Sequence, residues 1–299
     1  MIAGKVSIDG RIVDAADARV SVFDRGFLYG DSVFEVFRTY GRVPFAQQEH
    51  LERLGRSAQR LMIPMPVSIE ALSAEVRATL EAAGEGNWYV RVVLTRGTGP
   101  LTYDPTTATT PLRVIIVVPV SVPPAHYYDK GVAVSLLRAS RPTDDERASG
   151  AKASNYLANL LAVYEAKQKG AQEALMLGRD GQILEGASSN IFIVKDGKLC
   201  TPEPQRGILV GITRATVLAA AADEGIEVEE TEVRPEDLYG ADEAFLTSSI
   251  REVMPVVAAD GRKIGSGTPG PVTKRLHQAY RRAVARVVEG AFDRPAAPH

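Results

Sequence analysis

The sequence has little of the chemistry that builds disulfides, metal sites and membrane spans. Its 299 residues include one cysteine, Cys200, which cannot close an internal disulfide or build a cysteine-based metal site. The four histidines lack the spacing of metal ligands, so no metal is expected. The apolar run 114–118 stops at Pro119 and is too short to cross a bilayer. Together with an N-terminus that lacks a signal-peptide core, these absences predict a soluble cytoplasmic protein with no membrane partner.

The sequence also lacks a strong charge of either sign, because its formal net charge is -2. A nucleic-acid partner is therefore not expected, since such proteins neutralise phosphates with an excess of cations. One glycine pattern, Gly265-Ser-Gly267-Thr-Pro-Gly270, fits the dinucleotide fingerprint. Its prolines and the short chain that follows do not suit a nucleotide-binding unit. The pattern predicts a loop before a helix that starts with proline.

Lysine is scarce, because only nine of the 35 cationic residues are lysine. Eight of the nine have ordinary explanations as surface residues in strands, turns, helix ends or a linker. Lys152 differs, because it stands among small residues, directly before an apolar helix for which deep packing is expected. Desolvation favours the neutral amine, which can act as a nucleophile or a base. The alternative is a lysine that extends to solvent from a helix start.

Periodicity and turn signals predict an α+β fold with two domains. Strands are predicted at 6–8, 11–13, 33–40, 42–45, 89–95, 112–120, 173–177, 183–185, 190–194 and 245–247. Helices are predicted at 49–61, 68–83, 155–169, 213–225 and 272–288. Three prolines predict a linker over 119–130, which separates a smaller domain, 1–118, from a larger one, 131–299.

Several short motifs follow one another in a recognisable order. In the first half they are Arg25-Gly-Phe-Leu-Tyr-Gly-Asp-Ser-Val-Phe-Glu35 and Glu49-His-Leu-Glu-Arg53-Leu54. In the second half they include Lys152-Ala-Ser-Asn-Tyr156, Glu173-Ala-Leu175, Gly181-Gln-Ile-Leu-Glu185-Gly186, Ser189-Asn190-Ile-Phe192 and Gly211-Ile-Thr213-Arg214. Over about residues 4 to 280 the chain resembles the fold-type IV pyridoxal-phosphate enzymes, also called class IV aminotransferases. This group includes branched-chain aminotransferases, D-amino-acid aminotransferases and aminodeoxychorismate lyases.

The resemblance implies a two-domain fold, with a small N-terminal α/β domain, an interdomain loop at 119–130 that borders the substrate, and a large C-terminal pseudo-barrel domain that binds pyridoxal 5′-phosphate. Lys152 is similar to the lysine that forms a Schiff base with the cofactor aldehyde and later moves the substrate proton. Glu185 resembles the carboxylate that pairs with the pyridine nitrogen and keeps the ring electron-accepting. Without the motif, Glu185 is an ordinary strand glutamate.

The resemblance also implies further cofactor contacts. Arg53, Ile212, Thr213 and Ser249 match the positions that bind the cofactor phosphate, and Tyr156 matches the tyrosine that reaches its phenolic oxygen. A helix N-terminus such as the one predicted near Thr213 suits a phosphate. From the residues alone, bland alternatives stay open for these positions: a solvated helix charge, an N-cap, a strand-end turn and a core aromatic.

The substrate side resembles the branched-chain enzymes most. Trp88-Tyr89-Val90-Arg91 is similar to their Tyr-x-Arg strand, and the resemblance implies a pocket lined by Tyr29, Phe34, Arg38, Tyr89, Arg91 and Ile250. The Arg-x-His triplet of D-amino-acid enzymes is replaced by Leu101-Thr102-Tyr103. The chain departs from the branched-chain pattern at Ser248-Ser249-Ile250, where those enzymes have Gly-Thr-Ala.

The favoured function is amino transfer between L-branched-chain amino acids and 2-oxoglutarate. An aminodeoxychorismate lyase and a D-amino-acid or (R)-amine transaminase are the alternatives within the family. A non-catalytic protein that binds the cofactor or scaffolds a dimer is the alternative outside enzymology. The resemblance implies amino-acid and 2-oxo-acid substrates and a homodimer or higher homo-oligomer.

Overall fold

The computed structural model describes residues 3–138, 148 and 150–292, which fall into two compact units. The first contains the described residues of Met1–Ser121, Asp145–Asn155 and Val287–His299, and the second those of Val122–Asp144 and Tyr156–Arg286. The first boundary falls inside the predicted linker, 119–130. The first unit also takes in the described residues of 145–155 and 287–299, which a simple division into 1–118 and 131–299 does not include.

The first unit is built on a six-stranded antiparallel sheet in the order β2-β1-β6-β5-β3-β4. Its strands are β1 (Lys5–Ile8), β2 (Arg11–Asp14), β3 (Ser32–Tyr40), β4 (Val43–Pro44), β5 (Trp88–Thr95) and β6 (Leu112–Pro119). Its helices are α1 (Arg25–Tyr29), α2 (Gln47–Arg60) and α3 (Ile69–Ala83), with a 3₁₀ turn at Pro105–Thr107.

Strand alternation and helical periodicity place the core of the first unit between the sheet and its helices. Val33 and Phe37 of β3 are fully buried, as are Leu51 and Leu54 of α2, and all four belong to one apolar cluster. Glu35 lies on the same side of β3 as Val33 and Phe37, because side chains alternate along a strand. A carboxylate therefore stands at a core position.

The second unit is built on a nine-stranded mixed sheet in the order β12-β11-β10-β13-β14-β7-β8-β9, with β15 added to β14. Its strands are β7 (Val132–Arg138), β8 (Glu173–Leu177), β9 (Ile183–Gly186), β10 (Asn190–Lys195), β11 (Lys198–Pro202), β12 (Val228–Thr231), β13 (Glu243–Ser248), β14 (Glu252–Ala259) and β15 (Arg262–Lys263). Its helices are α4 (Ala125–Lys130), α5 (Leu157–Gln168), α6 (Ile212–Asp223), α7 (Pro235–Tyr239) and α8 (Pro271–Phe292), with a 3₁₀ turn at Pro204–Arg206.

The structure confirms several local predictions and corrects others. Asp9 and Gly10 form the expected hairpin turn, with φ of 49° and 86°. Ser68 caps α3 by accepting the Ala71 N–H, and α8 begins at Pro271 as expected. The predicted linker 119–130 is partly helical, because α4 occupies its second half. No prediction was made for helices α1 and α7 or for strands β7, β11, β12, β14 and β15.

The packing expected for the helix after Lys152 is wrong for this chain. Helix α5 buries Ala162 and Ala166, whereas Leu157, Leu160, Leu161 and Tyr164 are 59–68% exposed. The apolar residues of this helix are spread over all of its sides, so the sequence did not reveal which side faces the core. The four exposed residues form an apolar surface, called the α5 surface below.

In the part of the chain that the structure describes, no helix combines the length and the apolarity needed to cross a membrane. Among the same residues, no three histidine, cysteine or acidic side chains come together as a metal-binding group would require.

Candidate active site

Lys152 lies in a short segment that pairs with one edge of β3. The Phe34 N–H donates to the Lys152 carbonyl at 3.0 Å, and the Ser154 N–H donates to the Ser32 carbonyl at 2.9 Å. The Lys152 N–H donates to Ser57 Oγ on α2 at 3.1 Å. The lysine that stood out in the sequence is therefore held by its main chain on both sides of its Cα.

One face of the first unit's sheet collects four of the predicted substrate residues. Phe34 and Arg38 lie on the same face of β3, because they are an even number of residues apart. Tyr89 and Arg91 of β5 lie on that face too, since Tyr89 pairs with Arg38 and Arg91 pairs with Val36. The Arg91 guanidinium lies 3.8 Å from the centre of the Phe34 ring, and Lys152 Nζ lies 4.5 Å from it. Lys152 thus shares the face of these four residues, which is called the β3–β5 face below.

Arg53 is buried in a pair with a carboxylate that the sequence did not single out. Its Nε and Nη2 donate to Glu35 Oε1 and Oε2 at 2.6 and 2.7 Å, and His50 Nδ1 lies 2.7 Å from Oε2. Arg56 and Arg60 share the helix but are exposed, whereas Arg53 is 7% exposed. The solvated-charge interpretation of Arg53 is therefore wrong, and its predicted contact with a phosphate stays a prediction.

Burial and charge have opposite effects on Glu35. Burial raises the pKa of Glu35, but the Arg53 charge and the hydrogen bonds from Arg53 and His50 outweigh burial and lower that pKa to about 2. Burial also lowers the pKa of His50 below its usual value, against the raising effect of Glu35. At neutral pH, His50 is therefore uncharged and donates its Nδ1 proton to an ionised Glu35.

A second ionic network holds helix α1, which carries Tyr29. Arg25 Nε and Arg96 Nε donate to Asp31 Oδ2 at 2.9 and 2.8 Å. Burial raises the pKa of Asp31, but the bonds and charges of Arg96 and Arg25 lower it overall. The Arg25 guanidinium also lies 4.9 Å from the centre of the Tyr29 ring. The centres of the Tyr29 and Tyr103 rings are 5.7 Å apart.

In the second unit, Glu185 and Asn190 both bond the main chain of Leu209, shortly before α6. Glu185 Oε2 accepts the Leu209 N–H at 3.0 Å, and Asn190 Nδ2 donates to the Leu209 carbonyl at 2.8 Å. Gly211 follows as the N-cap of α6, and no side chain caps that helix. A Cβ at Gly211 would lie 2.1 Å from Asn190 Oδ1. This close packing fixes the position of the first-turn amides of Ile212 and Thr213.

The turn between β13 and β14 carries Ser249 and Ile250, both half-buried. Arg251 follows them and pairs with Glu173, which is 1% exposed and also accepts the Ser188 hydroxyl at 2.9 Å. The Tyr128 hydroxyl donates to the Arg251 carbonyl at 3.0 Å. The turn is therefore anchored by a buried carboxylate.

Tyr156 is half-buried and immediately precedes α5. The first unit thus brings together Lys152, Phe34, Arg38, Tyr89 and Arg91. Tyr156, Glu185, Ile212, Thr213, Ser249 and Ile250 lie in the second unit.

Sequence reasoning missed Glu35, His50, Ser57 and the Glu173–Arg251 pair. One signal was available, because Glu35 stands between two core residues of a strand and a buried carboxylate needs a cation. The partner of Glu173 had no such signal, since the two residues are 78 positions apart.

The amino-transferase class IV family model matches residues 32–259, which include Lys152, Glu185 and Arg53. The chain belongs to the class IV aminotransferases. This aminotransferase is 40% identical to a putative branched-chain-amino-acid aminotransferase of Methanocaldococcus jannaschii, over 93% of this chain and 95% of the relative. It is 34% identical to a D-alanine aminotransferase of Bacillus licheniformis, over 94% and 97%. The branched-chain aminotransferase of Thermoproteus uzoniensis, solved with norvaline, superposes with a TM-score of 0.87 at 34% identity, over 96% of this chain and 97% of that one.

This class IV aminotransferase depends on pyridoxal 5′-phosphate, and the donor chemistry of the described residues fits that cofactor. Lys152 provides an amine beside an aromatic ring, and Glu185 provides a carboxylate. Helix α6, 12 residues long, presents first-turn amides that no N-cap side chain occupies, as a phosphate site requires.

Proposed function

We propose that this aminotransferase transfers the amino group between L-branched-chain amino acids and 2-oxoglutarate. The observation that carries the proposal is the β3–β5 face, on which aromatic surface and two arginines accompany the Phe34 ring that Lys152 contacts. An aliphatic side chain suits the aromatic surface, and a dicarboxylate suits the arginines. The relatives named as branched-chain aminotransferases support the same assignment.

The roles of the residues follow from their chemistry. The cofactor supplies an aldehyde and an electron-accepting ring when it is bound. Lys152 holds the cofactor through that aldehyde and then moves a proton between the substrate Cα and C4′ of the cofactor. Glu185 holds a proton on the pyridine nitrogen. Arg53, Ser249 and the first-turn amides of Ile212 and Thr213 bind the phosphate, and Tyr156 donates to the phenolic oxygen.

The substrate is oriented by the remaining predicted residues. Tyr29 and Tyr89 present hydroxyls, Phe34 offers an apolar surface, and Arg38 and Arg91 attract carboxylates. Ile250 stands where the branched-chain pattern has alanine, so we propose that it narrows the pocket. Cytoplasmic localisation, as expected from the sequence, is part of the proposal.

A half-reaction screen tests this function. Cofactor-loaded protein is mixed with L-leucine, L-glutamate, D-alanine or (R)-1-phenylethylamine, and the loss of the visible band of the lysine-bound cofactor is followed. We expect conversion by L-leucine and L-glutamate. Conversion by D-alanine alone would contradict the proposal, and release of p-aminobenzoate from aminodeoxychorismate would indicate a lyase. Lys152→Ala is expected to abolish the visible band.

D-amino-acid transamination is the second candidate, because a D-alanine aminotransferase is among the relatives. The residues at 101–103 do not favour it. Leu101 and Tyr103 are uncharged and exposed, and the Thr102 carbonyl is already used by Arg25 Nη1 at 2.7 Å. The screen above separates the two functions by the stereochemistry of the accepted donor.

We also propose that the enzyme is a homodimer. The α5 surface supports this, because four large apolar residues at 59–68% exposure on one helix are typical of a surface that another chain covers.

A further inference from the structure

The main chain of Lys152 is fixed at both of its polar atoms. Its N–H donates to Ser57 Oγ at 3.1 Å, and its carbonyl accepts the Phe34 N–H at 3.0 Å. The two bonds lie on opposite sides of the Cα, and they come from a helix and a strand respectively. The Cα of Lys152 is thereby located by α2 and β3 together.

Ser57 differs from an ordinary helical serine. A serine inside a helix normally points to solvent or bonds the carbonyl one turn earlier. Ser57 is 2% exposed, and its hydroxyl accepts a bond from a residue 95 positions later in the chain. It is also one helical turn after Arg53, so both side chains are on the same side of α2.

Helix α2 therefore carries two contacts at a fixed spacing. Arg53 has two of its nitrogens locked by Glu35, which is fully buried. Ser57, four residues later, holds the peptide of Lys152. A rigid helix that joins the two sets the distance between the Arg53 guanidinium and the Cα from which the lysine amine extends.

We infer that Ser57 is a positioning residue, whose hydroxyl fixes the Lys152 main chain and so places the lysine amine for bonding to the cofactor. The inference rests on the role proposed above for Lys152. A lysine side chain has four rotatable methylenes, so a main-chain anchor is what limits the region that the amine can reach. Loss of the anchor lets the 150–155 segment shift on the edge of β3, which moves the amine from its bonding position.

The test compares Ser57→Ala in two backgrounds. In the wild-type background we expect a 3- to 10-fold increase in the dissociation constant of pyridoxal 5′-phosphate, measured by equilibrium dialysis, which is the effect of losing one ordinary hydrogen bond. In the Lys152→Ala background the same substitution should change that constant less than 2-fold, because no amine remains to be positioned.

Ser73→Ala is the matched control. Ser73 is also a buried serine of a first-unit helix, and its hydroxyl accepts from Gln47 Nε2 at 2.7 Å and Arg77 Nη1 at 2.8 Å. It has no contact with the Lys152 segment among the described hydrogen bonds. Its loss should lower the stability of the apoprotein but leave the cofactor constant unchanged.

Equal effects of Ser57→Ala in both backgrounds, or no effect in either, would overturn the inference. If Ser57→Ala does not fold, Ser57→Cys keeps the shape with a weaker acceptor and must show the same dependence on Lys152. Failure of the role proposed for Lys152 looks different, because the wild-type protein itself would then show no visible band with the cofactor. Failure of the branched-chain assignment alone would show in the half-reaction screen and would leave the effect of Ser57→Ala on cofactor binding unchanged.

Discussion

At the scale of single residues, the site depends on carboxylates that sit where strands and helices bury apolar groups. Glu35 is fully buried, and Arg53 and His50 offset the cost of placing its charge in the core. Glu173 is equally buried and is paired with Arg251. Glu35 fixes the direction of Arg53, a predicted cofactor residue, and Glu173 fixes that of Arg251, which follows the predicted substrate residue Ile250.

Glu35 should make the stability of the first unit depend on pH. Its pKa is lowered from 4.5 to about 2, so the ionised carboxylate stabilises the fold above pH 4.5 and this contribution, about 3 kcal/mol, is lost as pH falls towards 2. His50 acts in the same direction from about pH 6.5 downwards, because the unfolded chain binds its proton more readily.

Glu35→Gln should therefore cost about 3–5 kcal/mol at pH 7, since it leaves Arg53 buried without a charged partner. The difference from wild type should shrink as pH falls, in urea unfolding of the apoprotein at pH 7, 5 and 3. Glu75→Gln is the control, because Glu75 also pairs with an arginine, Arg113, but is more exposed. A difference that stays constant with pH would contradict the assignment.

Glu185→Gln tests the proposed partner of the pyridine nitrogen. The amide can still accept the Leu209 N–H, so the start of α6 and cofactor binding should be retained. Proton abstraction from the substrate Cα should slow by about 100-fold or more, because the amide does not keep the ring protonated. Stopped-flow absorbance with L-leucine measures the rate. An unchanged rate would show that another group protonates the ring.

At the scale of elements, helix ends and turns position the predicted ligands. The start of α6 is set by the close approach of Gly211 to Asn190, and the turn after β13 by the Arg251–Glu173 pair. Both contacts join residues that are distant in sequence. A hairpin such as β1–β2 is local and was therefore predictable from Asp9 and Gly10.

Gly211→Ala should displace the start of α6. The new methyl group would lie 2.1 Å from Asn190 Oδ1, although the backbone of Gly211 suits alanine, with φ of -68°. We expect the dissociation constant of the cofactor to rise at least 10-fold in a dialysis titration.

Gly55→Ala is the control, because we expect this substitution to stabilise the protein. Gly55 lies inside α2, where a Cβ would meet Ile69 Cδ1 at an ordinary contact distance of 3.6 Å, so alanine should stabilise the apoprotein by about 0.5–1 kcal/mol in urea unfolding. If both substitutions weaken cofactor binding equally, the role given to the start of α6 is wrong.

At the scale of the whole molecule, the α5 surface is the main feature that one chain leaves unexplained. Leu157, Leu160, Leu161 and Tyr164 would be costly to leave in water. Leu160→Glu combined with Leu161→Glu should convert the dimer to a monomer in analytical ultracentrifugation. Met62→Glu, at an even more exposed apolar residue outside α5, should not change the mass. A monomeric wild-type protein would refute the proposed dimer.

Sequence reasoning reached the α+β class, most strands and helices, and the family, because these follow from periodicity and from motifs in a fixed order. It singled out Lys152 because small neighbours and an apolar helix made its setting unusual, and the role of Lys152 stays a prediction. It did not find Ser57 or Glu173, whose partners are 95 and 78 positions away, because pairing over such distances is decided only by the folded topology. It misjudged α5, since an evenly apolar helix does not reveal its buried side.

The first unit is discontinuous, and this has a consequence for synthesis on the ribosome. The edge of β3 at Ser32 and Phe34 is covered by residues 152–154, which the ribosome adds more than a hundred residues later. Until then the nascent sheet presents an unpaired edge, the kind of surface that invites wrong partners. We expect a nascent chain stalled before residue 150 to associate with chaperones, and one stalled well after residue 155 to release them.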